Sequence, residues 1–298
     1  MSSIEPIFAT WPENLRATLT SHYGQPTHID ALRGLSHNRV WCVSFGTLQL
    51  IVKASVQPNE TLFYQDVAPK LVVQGIALPE FIWGDAVEDI HWLVIEYIPH
   101  PLPRKRWLAD PDVITLLHTL HHSTLAAPSW EVFCPTWTDL HTTEALTFFD
   151  EPVDSATRVA LVTLQARSQS LLILRCCISG DPNPSNWGLR DDGTIVLFDW
   201  ERFGYGTPAL DLAITIPGLG TVGDFTVVAE QYLSQHTTTL EKSYSTKPLA
   251  NDIAIAKAWS VVEFLSMVSR GQVSDVRSVP SLVQRLPEWL AMVVGLIG

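Results

Sequence analysis

Residues 181–186 read Asp181-Pro-Asn-Pro-Ser-Asn186, and a short segment that ends in Phe198-Asp199-Trp200 follows them. The residues between form two short apolar runs around Asp192-Gly193, a dipeptide that readily supplies the positive φ angles of a tight hairpin turn. Folding this hairpin brings its two ends together. The sequence therefore predicts that Asn186 and Asp199 face one site, with Asp181 beside them.

These oxygen-bearing side chains suit phosphoryl transfer. One carboxylate can orient a hydroxyl group, while an amide oxygen and a second carboxylate can hold Mg²⁺. The spacing Asp-x-x-x-x-Asn also matches the catalytic loop of protein kinases. That spacing is weak alone, but a third segment, Gly206-Thr-Pro-Ala-Leu-Asp-Leu-Ala213, follows in order. The combination predicts a phosphoryl-transfer centre.

The linked segments Ser179–Gly188, Leu197–Glu201 and Gly206–Ala213 resemble the core of the aminoglycoside phosphotransferase and choline kinase family. This family contains protein-kinase-like enzymes that phosphorylate small molecules. The resemblance implies an α+β, two-lobed protein-kinase-like fold, with ATP and Mg²⁺ as cofactors and a small-molecule hydroxyl group as acceptor. It implies that Asp181 is the catalytic base and that Asn186 and Asp199 are the metal ligands.

Composition limits the partners. The chain has 298 residues, of which 46% are hydrophobic and 17% charged, enough for two lobes of ~150 residues each. Its net charge of −12 disfavours nucleic acid or an anionic membrane and favours a cationic small substrate. The acidic residues in or near the helical part suggest an amine-bearing alcohol or an aminoglycoside as acceptor; they are Asp139, Glu144, Asp150, Glu151, Asp154 and Glu201. Such charges more often form only a solvated face.

The first residues lack a signal-peptide pattern, and the apolar run 290–298 is shorter than the ~20 residues that span a bilayer. Four irregularly spaced cysteines form no disulfide framework or zinc motif. We therefore expect a reduced cytoplasmic protein, either monomer or homodimer.

Two lobes are predicted from the change of pattern along the chain. An N-terminal lobe, residues 1–98, has a short helix over 11–24 and then a five-stranded antiparallel sheet with one inserted helix near 59–74. The strand candidates are Ile29–Arg33, Arg39–Phe45, Leu48–Lys53, Glu80–Trp83 and His91–Tyr97. After Pro99-His-Pro-Leu-Pro103, residues 99–298 form a mainly helical lobe, with helices over Pro111–His122 and around 224–242, 250–270 and 280–297.

The N-terminal lobe supplies candidate nucleotide-binding residues. Lys53 ends an apolar strand, like the kinase lysine that contacts the α and β phosphates; a solvated edge lysine is the alternative. The family resemblance implies Glu60 as its partner, only seven residues away. It also implies that Ser36 and Asn38, in Gly34-Leu-Ser-His-Asn-Arg39, cover the phosphates, although a plain hairpin turn is equally compatible.

The hinge and the supporting residues follow from the same resemblance. Glu96 and Ile98 occupy the adenine-binding hinge, where the main chain would bind the base. Asp211 resembles the aspartate that accepts main-chain hydrogen bonds from the catalytic loop. We expect Trp187 and Trp200 to wall the site. The histidines at helical spacing, which we assign to helix packing, are His118, His121 and His122.

Ser179 departs from the family, which usually has histidine two residues before the loop aspartate. This leaves open a catalytically degenerate kinase-like nucleotide-binding module. A second alternative, nucleotidyl transfer by the same loop, would release pyrophosphate.

Overall fold

The computed structural model describes residues 4–32, 39–149, 155–173, 175–235 and 245–298. Ser36 and Asn38, and with them the predicted phosphate-covering turn, lie outside the described residues. So do Asp150, Glu151 and Asp154.

A five-stranded sheet forms the N-terminal part of the chain. Its strands are β1 (His28–Leu32), β2 (Arg39–Phe45), β3 (Leu48–Ser55), β4 (Phe81–Val87) and β5 (Ile90–Glu96). Their order is β1-β2-β3-β5-β4, and every neighbouring pair is antiparallel. The predicted sheet is confirmed. Strand β3 runs two residues beyond Lys53 because the alternation of buried and half-buried residues continues to Ser55.

One face of this sheet is covered by the N-terminal helices α1 (Ile4–Ala9) and α2 (Glu13–Tyr23). Leu15 and Leu19 of α2 are fully buried against strand residues of this face. Trp41 and Trp92 stack there at 5.9 Å. The even positions of β3 are thereby buried, which leaves Lys53 on the opposite face.

The inserted helix is divided by a wide turn. Helix α3 (Asn59–Leu62) leads into a π-helical turn, Phe63–Val67, and then α4 (Ala68–Val73). The sequence predicted one regular helix; the difference follows from Pro69, which has no N–H to continue the i→i−4 pattern. Ala68 N–H instead bonds Phe63 O, five residues back.

The rest of the chain is mainly helical around one large core. Its helices are α5 (Pro111–His121), α6 (Asp139–Leu146), α7 (Ser155–Ser168), α8 (Pro208–Ile214), α9 (Val222–Leu233), α10 (Thr246–Ser269) and α11 (Val279–Ile297). The prediction that α9 extends to about 242 is wrong, because Ser234 and Gln235 form a turn. Among the described residues, no helix combines the length and apolar character needed to cross a bilayer. The lobe division at residues 98 and 99 stays a prediction.

Two small sheets carry the central segments. Strands β6 (His100–Pro101), β8 (Trp187–Leu189) and β9 (Ile195–Leu197) form one; β7 (Cys176–Ile178) pairs with β10 (Gly204–Gly206) in the other. The predicted β8–β9 hairpin is confirmed. Within it, Gly193 alone has a positive φ, of 85°. The sequence had assigned positive φ to Asp192 as well; the turn is longer than two residues, since Arg190 N–H bonds Thr194 O.

A buried lysine from α10 bonds carbonyl groups at the C-terminal end of helix α8. Lys257 of α10 is 6% exposed, and its Nζ donates to Ala213 O at 3.1 Å and Ile216 O at 2.6 Å. Ala213 O also accepts from Ile216 N–H at 3.3 Å, whereas Ile216 O lies beyond the last residue of α8, Ile214. Burial lowers the pKa of Lys257 to about 8.

We expect Lys257→Met to lower the free energy of unfolding by about 1–3 kcal/mol at pH 7.5, because Ile216 O loses its lysine donor and Ala213 O keeps only the 3.3 Å bond from Ile216 N–H. The unfolded lysine binds a proton up to about pH 10.5, whereas the folded one releases it above about pH 8. Stability of the unmodified protein therefore gains from rising pH in this window, and the variant does not. Denaturant titrations of both proteins at pH 7.5 and pH 10 should give a larger difference at pH 10. A smaller difference would contradict the assignment.

Candidate active site

The loop that carries Asp181 is fastened to α8 by the carboxylate of Asp211. Ser179 N–H donates to Asp211 Oδ2 at 2.8 Å, and Gly180 N–H donates to Asp211 Oδ1 at 2.9 Å. Both bonds are buried. The predicted role of Asp211 as the acceptor for main-chain bonds of this loop is confirmed, and these bonds set where the loop begins.

A second buried partner of Asp211 was missed from the sequence. His121 Nε2 bonds Asp211 Oδ2 at 3.1 Å, and Tyr232 O–H lies 3.0 Å from His121 Nδ1. The side chains of His121 and Asp211 are both fully buried. His121 had been assigned to helix packing; its spacing on α5 gave no sign of a partner 90 residues away in sequence.

Ser179 lies where the family usually has histidine. It is 2% exposed, and its Oγ has no hydrogen-bond partner among the described residues. The hydrogen bond by which Ser179 orients the loop is therefore that of its main-chain N–H to Asp211. The His121–Asp211 pair holds the loop from the opposite side.

The hairpin brings Asn186 and Asp199 to the loop. Phe198 N–H donates to Asn186 O at 3.0 Å, which joins the ends of β8 and β9. Asn186 Nδ2 donates to Asp181 O at 3.0 Å and to Asp181 Oδ2 at 3.2 Å. Asp199 has φ 68°, a conformation that a residue other than glycine rarely adopts and that is found at functional sites. Asn186 thus contacts Asp181 directly, and the hairpin end carries Asp199 alongside.

Lys53 joins the sheet to this loop. Its Nζ lies 2.7 Å from Glu60 Oε1, 2.8 Å from Glu60 Oε2 and 2.8 Å from Asp199 Oδ1. Burial alone would lower the pKa of Lys53, but the charges of Asp199 and Glu60 outweigh burial and raise it. Lys53 is therefore a fixed cation between two carboxylates. The seven-residue separation in sequence is spanned because α3 starts four residues after β3 ends.

Aromatic packing fixes the helix that carries Glu60. Phe63 stacks on Trp200 with ring centroids 4.6 Å apart and an interplanar angle of 5°. The main-chain N–H of Trp200 also donates to Glu60 Oε1 at 3.3 Å. Trp187 and Trp200 are 1% and 0% exposed, so the expectation that they wall the open site is wrong. Their indoles donate instead to Pro182 O and Leu197 O, and support the loop and hairpin from the core.

The donor set fits a magnesium ion. Mg²⁺ prefers oxygen ligands and is usually held by one or two side chains together with substrate phosphates and water. Asn186 uses its Nδ2 on Asp181, which leaves its amide oxygen for a cation. Asp199 uses Oδ1 on Lys53, and its second carboxylate oxygen has no hydrogen bond within the described ranges. These two oxygens are the ones that could hold the ion.

The surroundings of Asp181 raise the pKa of its carboxyl group toward neutral pH. Burial raises its pKa, the positive charge of Arg202 lowers it and the charge of Asp199 raises it, with a result of about 6. A carboxylate with this pKa is ionised at pH 7 and remains a competent proton acceptor.

The structure places Glu96 and Ile98 at the end of β5, but not in the same surroundings. The Glu96 carboxylate pairs with Arg190, at 2.7 Å between Nη2 and Oε2. Ile98 lies against Gly188 of β8. Any contact of Glu96 with a nucleotide would therefore use its main chain.

A comparison with known families gives an independent result. A family model described as the phosphotransferase enzyme family matches residues 28–241. The search of curated proteins found no match.

Solved structures with the same fold cover nearly all of the chain. A spectinomycin phosphotransferase, APH(9)-Ia, in complex with ADP and spectinomycin has TM-score 0.63 and 12% identity, over 95% of this chain and 98% of the other. Amicoumacin kinase hAmiN in complex with AMP-PNP and Ca²⁺ has TM-score 0.63 and 14% identity, over 96% of each chain. A thermostable mutant of aminoglycoside phosphotransferase APH(4)-Ia has TM-score 0.62 and 15% identity, over 94% and 98%. At these identities the likeness shows the fold, and the predicted α+β protein-kinase-like class is confirmed.

We expect Asp211→Asn to lower the free energy of unfolding by about 2–4 kcal/mol, because the amide cannot accept all three buried hydrogen bonds. Hydrogen exchange in peptides covering residues 176–181 should accelerate. Asp224→Asn is the control, since Asp224 caps α9 at the surface through Thr221; it should cost about 1 kcal/mol or less and leave the loop unchanged. Unchanged exchange in Asp211→Asn would refute the anchoring role.

Proposed function

The chain belongs to the phosphotransferase enzyme family, and we propose that it transfers the γ-phosphoryl group of ATP to a hydroxyl group of a small molecule. The observation that carries the proposal is the contact of Asp181 with Asn186, beside a hairpin end at Asp199 whose carboxylate bonds Lys53 of β3. This arrangement supplies a proton acceptor, two oxygen ligands and a fixed cation. Positioning and charge neutralisation are what phosphoryl transfer requires.

In the proposed reaction, Asp181 orients the acceptor hydroxyl and takes its proton. The hydroxyl oxygen bonds to the γ phosphorus, the bond from that phosphorus to the bridging oxygen breaks, and ADP leaves. Lys53, oriented by Glu60, contacts the α and β phosphates. A Mg²⁺ ion held by Asn186 and Asp199 would neutralise phosphate charge. Glu96 and Ile98 would bind adenine through their main chain, and Ser36 and Asn38 would cover the phosphates.

For the acceptor we propose a cationic molecule, an aminoglycoside-type antibiotic or an amino alcohol. The negative charge around Glu201 supports this choice: besides burial, the charges of Asp199 and Asp181 act on Glu201 and raise its pKa. Some other acidic residues weighed from the sequence already have partners: Glu144 pairs with Arg270, and Asp139 accepts from Gln165. One related structure, of APH(4)-Ia, holds ADP and hygromycin B. Four free cysteines support a cytoplasmic location.

A catalytically degenerate nucleotide-binding module is the second candidate. Ser179 with its unpartnered Oγ favours it. The contacts among Asp181, Asn186, Asp199 and Lys53 favour turnover, because none of these side chains has been lost or turned away.

We expect Asp181→Asn to reduce kcat by about 10²–10⁴-fold, because the amide cannot accept the proton. The variant should still bind AMP-PNP with Mg²⁺. ADP release should be followed with the purified protein over aminoglycosides and amino alcohols, with phosphorylated product identified by mass spectrometry. Nucleotide binding without turnover on any acceptor would favour the degenerate module, and release of pyrophosphate would indicate nucleotidyl transfer.

Arg202 sets the pH range of this reaction. Its main chain packs against Gly180, where an added Cβ would meet Arg202 O at 2.2 Å. Its guanidinium lies 4.2 Å from the Phe133 ring centroid and donates to Glu263 Oε2 at 2.6 Å. The positive charge is therefore held near Asp181 and lowers the pKa of that carboxyl.

We expect the acid limb of the kcat/KM profile near pH 6 to move to higher pH in Arg202→Met combined with Glu263→Gln. The second change avoids an unpaired Glu263, whose negative charge would itself raise the pKa of Asp181. Glu263→Gln alone is the control and should move the limb less. An unchanged limb in the double variant would exclude the charge of Arg202 as a determinant of the Asp181 pKa.

A further inference from the structure

Arg190 ties the turn of the β8–β9 hairpin to the end of β5. Its Nε donates to Glu96 Oε1 at 2.8 Å and its Nη2 to Glu96 Oε2 at 2.7 Å. The same Nη2 donates to Leu78 O at 2.8 Å. Two parallel bonds between a guanidinium and a carboxylate fix orientation as well as distance. These bonds therefore join the hairpin turn to the start of the hinge.

Glu96 is also held from the other side. Its Oε2 accepts from Glu80 N–H at 3.0 Å, and its own N–H donates to Glu80 O at 2.9 Å. Burial alone would raise the pKa of Glu96, but the hydrogen bonds from Arg190 and Glu80 hold it below its ordinary value. The carboxylate is thus charged at neutral pH, and the bond to Arg190 persists.

A second contact joins the same strand to the hinge. Gly188 of β8 leaves no room for a side chain: an added Cβ would lie 2.5 Å from Ile98 Cγ2 and 3.1 Å from His100 O. His100 and Pro101 then pair with β8 as strand β6. The segment from Glu96 to Pro101 is in this way built onto one edge of the hairpin.

The hairpin also carries Asn186 before β8 and Asp199 after β9. A nucleotide that contacts the hinge with its base and the metal with its phosphates must span the two ends of this unit. We propose that Arg190 is a positioning residue for the nucleotide: by holding Glu96, it fixes the hinge main chain relative to the residues that would hold Mg²⁺. This inference rests on the proposed use of ATP. It predicts a loss of nucleotide affinity, because a hinge that must be ordered on binding costs free energy.

The alternative to a positioning role is that the Arg190–Glu96 ion pair contributes only to stability. The two side chains are 30% and 26% exposed, and pairs of this kind contribute ~0–1 kcal/mol. The chain offers a matched control in Arg270, whose Nε donates to Glu144 at 3.0 and 2.9 Å and joins the end of α10 to α6. Removing either arginine should change the thermal stability by a similar amount, but only the removal of Arg190 should weaken nucleotide binding.

The test is calorimetric titration of Mg²⁺–AMP-PNP into the full chain, with thermal unfolding of each variant. We expect Arg190→Gln to raise Kd about tenfold, to raise KM for ATP in parallel and to leave kcat at saturating ATP within about twofold. Arg190→Lys keeps the charge but loses the paired bonds. Its Kd should therefore lie between those of the unmodified protein and Arg190→Gln. Arg270→Gln should bind AMP-PNP like the unmodified protein.

Gly188→Ala tests the same unit without touching the ion pair. Its methyl group displaces Ile98, so we expect weaker AMP-PNP binding together with a lower unfolding temperature from overpacking, and binding is measured well below that temperature. Unchanged Kd in both Arg190→Gln and Gly188→Ala would overturn the inference, as would a fall in kcat with no change in Kd. Failure of the unmodified protein to bind AMP-PNP is a separate result, which would overturn the proposed function together with the inference.

Discussion

The buried carboxylate of Asp211 is the interaction on which the rest of the site depends. Three donors converge on it, two from the loop, Ser179 N–H and Gly180 N–H, and one from His121 of α5, and all three bonds are buried. Leaving buried N–H groups without an acceptor costs about 1–3 kcal/mol each, so the loop has one low-energy position. Asp211 can serve as this anchor because α8 is itself fixed, at its far end, by Lys257. The helical core therefore determines the position of Asp181.

Charge balance forms the second constraint. Lys53 is shared by Glu60 and Asp199, while Asp181 and Glu201 add further negative charge nearby. Like charges at this density oppose the compact state, and the positive φ of Asp199 adds local strain. The Phe63–Trp200 stack and the burial of both rings offset this cost. The same excess of carboxylates would attract a divalent cation, so the destabilising feature and the proposed chemistry have one origin.

The sequence predicted the parts of this architecture that have a local signature. The strands are marked by strand-like runs bounded by turn residues, and the hairpin is marked by Asp192-Gly193 between apolar runs. The family resemblance supplied the pairing of Lys53 with Glu60. It could not supply contacts whose partners are distant and unpatterned, such as His121 with Asp211 or Arg190 with Glu96, 94 residues apart. Pro69 was a local indication of the wide turn after α3. The residues around it nevertheless predicted one continuous helix. Trp187 and Trp200 were misplaced because adjacency to a ligand residue does not tell which way a ring points.

The two halves of the cleft differ in how strongly the fold determines them. The nucleotide half is made of main chain held by paired strands and by Asp211, where a shift of one residue would break several buried hydrogen bonds at once. The acceptor site that we propose would draw instead on helix side chains such as Glu144, which is satisfied by Arg270 within the protein. Because Glu144 and Arg270 bond each other, this pair can change by substitution while the bonds from the loop to Asp211 stay in place. A chain can therefore keep the phosphoryl-transfer geometry while its acceptor changes, and the acceptor is the property that the sequence reveals least.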